Sequence, residues 1–125
     1  MTENEIAKII VDTCFRIHKG YGPGLFESVY EELLCYELSK EGLSFTRQEA
    51  VPLVHENLKL EIGFRADVIV ENKVLIELKS VEALASVNYK QVITYLKLTH
   101  LKLGLLINFN VSLIKDGIHR IVNNL

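Results

Sequence analysis

VLIELKS, residues 74–80, and LGLLINF, residues 103–109, decide the fold. Both are dense runs of strand-forming residues, and the second has the character of a strand covered on both faces. Between them, from Ser86 to about His100, Val87, Val92, Tyr95, Leu96 and Leu98 recur at helical spacing. Strand, helix and strand in succession imply a right-handed parallel crossover, hence a mixed sheet with helices on its faces.

Upstream, LSFTRQEAVPLV reads as a strand in which Pro52 marks an edge position or a bulge, because proline cannot donate to a ladder. LKLEIGF alternates cleanly, and ADVIV continues or follows it before the turn at Glu71–Asn72. Two helices precede these strands. Ile6, Ile9, Ile10, Thr13, Cys14 and Ile17 form one apolar stripe, with Thr2 and Glu5 as a capping box and Gly20 as its end. After the turn-rich GYGPG, a second stripe of Leu25, Phe26, Val29, Tyr30, Leu33 and Leu34 runs from about Leu25 to near Gly42. Downstream, LIK, the turn DG and IHRIV read as a closing hairpin.

The 125 residues are enough for one core, so a single domain over 1–125 is expected. No apolar run approaches the roughly 20 residues that span a bilayer, and the opening MTENEIAKII lacks the basic flank of a signal peptide. No membrane association is expected, and the cytoplasm is the expected compartment. Cys14 and Cys35 lie in helical stripes without metal-ligand spacing and read as buried thiols. Fourteen basic and sixteen acidic residues argue against a broad basic surface that coats nucleic acid. They leave open an enzyme that grips phosphates locally.

Glu77 and Lys79 share a face of their strand, because the side-chain period is two. Asp67 sits in the apolar segment before it. One reading is a solvated ion pair worth well under ~1 kcal/mol. The other is a metal site, because charged groups in the middle of a covered sheet are costly unless paired or liganding. A hard divalent cation takes oxygen ligands, usually one or two carboxylates. A lysine beside it can orient water and offset developing negative charge. Arg65 shares a face with Asp67 and is a candidate partner for it or for a phosphate. His18 ends a helix and reads as a C-terminal cap, while His55, His100 and His119 show no zinc spacing.

Asp67…Glu77-Leu78-Lys79 resembles the signature of the PD-(D/E)XK nuclease superfamily, with Ala66 where the name-giving motif has proline. GLFESVY, Gly24 to Tyr30, resembles the motif that names the GxxExxY protein family, and that likeness runs over nearly the whole chain. The resemblance implies an α/β, restriction-endonuclease-like three-layer fold. Its central mixed sheet is flanked by helices in the core order αβββαβ, here with a C-terminal hairpin. It also implies a Mg²⁺-dependent nuclease, with Mn²⁺ as substitute, acting on DNA ahead of RNA. Asp67 and Glu77 would hold the metal, Glu27 would complete the site from the first core helix, and Lys79 would assist the water. Gln91 and Tyr95 resemble a Gln-x-x-x-Tyr motif that positions the strand or the catalytic side chains. A homodimer is one expected assembly for so small a domain. The alternative is a nuclease fold kept as a nucleic-acid- or protein-binding regulatory module without turnover.

Overall fold

The computed structural model describes residues 1–125, apart from the side chain of Ile62. Two helices come first, α1 (Glu3–Tyr21) and α2 (Glu27–Lys40). Three strands follow, β1 (Phe45–His55), β2 (Leu58–Val70) and β3 (Val74–Lys79). Helix α3 (Ser86–Thr99), β4 (Leu103–Asn108), a 3₁₀ turn (Ile114–Asp116) and β5 (Ile118–Val122) complete the chain.

The strands lie in one five-stranded sheet in chain order, β1-β2-β3-β4-β5. β3 and β4 pair in parallel, joined through α3, and every other neighbouring pair is antiparallel. The sheet is therefore mixed, as the crossover between residues 74 and 109 requires. Pro52 sits on the edge strand β1 at a register shift between Val51 and Leu53. Edge and bulge turn out to be one place.

Helices cover both faces, giving three layers. α1 and α2 bury Ile6, Ile10, Ile17, Tyr30, Leu34 and Leu38 against Val68, Val70, Ile76, Leu78, Leu105 and Ile107. On the other face α3 sets Val92 and Leu96 against Phe64, Ala66, Ile69, Leu75 and Leu106. Burial of this kind supplies roughly 25 cal/mol per Å² of apolar surface and makes the sheet the centre of the molecule. β3 and β4 are the strands buried almost throughout.

Thr2 and Glu5 form the expected capping box on α1. The helix runs to Tyr21 rather than stopping at Gly20. Gly22, at φ +67°, takes a positive-φ conformation that favours glycine and caps the helix by donating its N–H to the His18 carbonyl. α2 begins at Glu27, two residues later than the stripe from Leu25 suggests, with Phe26 as its N-cap. Phe26 and Val29 are exposed, as is Val87 on α3, so the apolar stripes over-assign burial at those positions. The closing hairpin is also made differently. LIK bends into the 3₁₀ turn, and IHRIV pairs back on β4. Gly117 allows the close return: a Cβ there would lie 2.0 Å from the Asn108 carbonyl oxygen. Cys14 and Cys35 are free and buried, and burial pushes their thiols up to about 12 and about 11.

Candidate active site

The register of β2 on β3 runs Val70↔Val74, Ile69↔Leu75, Val68↔Ile76 and stops there. One further step sets Asp67 opposite Glu77. On the other side, Arg47↔Val68 and Glu49↔Ala66 set Gln48 opposite Asp67. Gln48, Asp67 and Glu77 thus form one row across three strands. At this row β2 changes character: Phe64 and Ala66 pack towards α3, whereas Val68 and Val70 pack towards α1 and α2.

Side chains take over where the β2–β3 ladder ends. The Leu78 amide donates to Asp67 Oδ2 at 2.8 Å, and the Asp67 amide donates to Glu77 Oε1 at 3.3 Å. The two strands fork here, and each carboxylate satisfies an amide of the other strand. Backbone donors in a covered sheet need partners, which explains why acids can sit at this point.

The electrostatics of the pair are unbalanced. Burial and then the Asp67 charge push the Glu77 carboxyl up to about 8. Asp67 is also raised, chiefly by burial, with Glu31 adding to the rise; the Leu78 amide, Gln48 and Lys79 oppose it. Among the described residues no lysine, arginine or histidine nitrogen is at ion-pair distance from either acid. Lys79 lies close enough to lower both carboxyls without pairing with them. Arg65 is exposed and makes no salt bridge to Asp67, contrary to the shared-face expectation. The Glu77–Lys79 surface ion pair is likewise not formed.

Glu27, the first residue of α2, faces Asp67 across an open cavity of about 420 Å³ that Ser28, Glu31, Gln48 and Leu78 also line. Its charge reaches Glu77, and its Oε2 accepts from the Ser80 amide at 3.3 Å. Tyr95 stacks on Phe64 with ring centroids 3.7 Å apart, and its hydroxyl is pushed up by burial and then by Glu77 and Asp67. Gln91 is exposed, and among the described residues no hydrogen bond joins it to the acids. Tyr30 instead belongs to the core, stacked on Phe109 at 4.3 Å, with its hydroxyl donating to the Gly22 carbonyl and accepting from the Leu25 amide. It ties the GYGPG turn to α2 and so fixes where Glu27 starts. His18 Nε2 meets the Val111 carbonyl oxygen at 2.9 Å, an anchor between α1 and the loop after β4.

Three residues of the site escape the sequence reading. Glu31, buried one helical turn after Glu27, accepts from Arg47 at 2.8 Å and from Gln48 at 2.7 Å. Gln48 also donates to Asp67 Oδ1 at 3.2 Å. Its backbone is held at φ +50°, a conformation that costs a non-glycine residue about 1–3 kcal/mol. The i, i+4 spacing of Glu27 and Glu31 was visible in the sequence. The position of Gln48 beside Asp67 was not, because it depends on the β1–β2 register.

Among the described residues, no group of three or more His, Cys, Asp or Glu side chains stands assembled to hold a metal ion. Asp67, Glu77 and Glu27 each direct an oxygen to a backbone amide instead. The donor chemistry nonetheless fits a hard divalent cation: desolvated carboxylate oxygens, mutually repelling, with no cationic side chain paired to them. A family profile of the PD-(D/E)XK nuclease superfamily matches residues 4–121. No curated protein and no solved structure matches the chain.

Proposed function

The chain belongs to the PD-(D/E)XK nuclease superfamily, and on that premise we propose that it is a metal-dependent nuclease hydrolysing phosphodiester bonds in DNA. The motif Gly24-x-x-Glu27-x-x-Tyr30 supports membership among the GxxExxY proteins as part of this proposal. The observation that carries the reading is the Asp67–Glu77 fork, a half-buried and a buried carboxyl whose ionisation is disfavoured and which lack a salt-bridge partner.

Asp67 and Glu77 would hold Mg²⁺, or Mn²⁺ in its place, and Glu27 would complete the set from α2. When bound, such an ion polarises the scissile phosphate and lowers the pKa of its water. The protein's own groups do the rest. Gln48, locked by Glu31, holds Asp67 in one orientation. Lys79 orients the attacking water and offsets charge developing on the phosphate. Tyr95, braced by Phe64, positions the strand on the α3 side, and Gln91 contacts the strand from the exposed turn before it.

Purified protein with Mn²⁺ should cut plasmid, linear or single-stranded DNA, and Asp67→Ala and Lys79→Ala should abolish the cleavage. Intact substrate in all three cases, with no Mn²⁺ uptake by calorimetry, contradicts the reading. Mn²⁺ uptake without cleavage supports the regulatory-module alternative.

A further inference from the structure

Phe26 breaks two rules at once. It is an N-cap residue that makes no side-chain cap hydrogen bond, at a position where Ser, Thr, Asp or Asn stabilises the helix. It is also a large apolar side chain left 81% exposed. Local choices that gain nothing for folding cluster at functional sites. The residue that follows is Glu27.

Phe26 lines an open cleft of about 590 Å³ with Gly24, Glu27, Ser28, Ser80 and Asn110. Glu27 belongs to this cleft and also to the cavity that holds Asp67, so the two hollows adjoin at the proposed catalytic acids. The cleft's lining mixes polar side chains with Leu25 and one aromatic and contains no lysine or arginine. A nucleic-acid strand there cannot be held chiefly by paired phosphates, since that needs cationic side chains. An aromatic face with hydroxyl and amide groups at its rim is what holds a stacked base.

We propose that Phe26 is a stacking platform for a nucleobase next to the scissile phosphate. A base must leave its own stack to lie on that ring, so the substrate class is DNA with an unpaired segment at the cut, single-stranded or frayed, rather than continuous duplex. This rests on the nuclease reading for the position of the cut, while the stacking itself is independent of turnover.

The chain has no tryptophan, so Phe26→Trp introduces a single fluorophore at this position. Its emission, read in chelator with a poly-dT oligonucleotide, should be quenched on binding and respond much less to a blunt duplex. Phe26→Ala should weaken single-strand binding about 5- to 150-fold, the span expected for one stacked base at ~1–3 kcal/mol. Because the side chain is exposed, the variant keeps the wild-type circular dichroism and melting point. Quenching in chelator, together with DNA left uncut in Mn²⁺, retains this proposal and removes only the cleavage reading. Emission that ignores every strand, or that shifts with protein concentration alone as at a seam between copies, overturns it whether or not DNA is cut.

Discussion

Glu77 holds its proton more tightly in the folded chain than unfolded, because burial and Asp67 disfavour its charge. Stability tied to such a group is complete below the ordinary glutamate range and is lost as pH rises through about 8. In chelator, denaturant midpoints should fall between pH ~5 and ~9. Glu77→Gln should flatten that fall and exceed the wild type by roughly 2 kcal/mol at the upper end. An equal decline in both proteins contradicts the account. The approach of Asp67 to Glu77 was legible in the sequence, from charged residues that interrupt apolar strands and from the likeness of Asp67…Glu77-Leu78-Lys79 to the nuclease signature. Glu31 offered only its i, i+4 spacing from Glu27, while Arg47 and Gln48 have ordinary neighbours and acquire their meaning only when β1 is laid on β2 and set against α2.

Among the elements, the packing of α3 on β4 sets where Tyr95 stands. Gly104 permits the approach: a Cβ there would lie 2.8 Å from Val92 Cγ1 and 3.4 Å from the Leu96 methyls. Gly104→Ala should therefore destabilise the fold by about 1–3 kcal/mol, and adding Val92→Ala should recover part of that loss, measured by urea denaturation. Equal stability of Gly104→Ala and wild type would show that the helix is not seated on this glycine. Element types followed from periodicity, including the crossover through α3 and the bulge at Pro52. Their ends did not. Gly22 rather than Gly20 stops α1, because capping depends on which glycine takes a positive φ, and a stripe does not record that. The LIK segment failed to become a strand because the Gly117 return lets β5 pair with β4 directly.

At the scale of the molecule, two helical layers enclose a sheet whose centre is apolar on both faces, and a row of polar side chains, Gln48–Asp67–Glu77, crosses it. Among the described residues no helix is long and apolar enough to cross a membrane. The net charge of −2 gives no general attraction for DNA, so on the proposed function recognition falls to local features around the acids. On the proposed function the fork between β2 and β3 is a cation site. Crystals soaked in Mn²⁺ and measured for anomalous scattering test it most directly. The account predicts a peak within liganding distance of Asp67 and Glu77, on the side of Glu27, that disappears in Asp67→Asn. Anomalous density elsewhere on the chain, or none at saturating Mn²⁺, would contradict it.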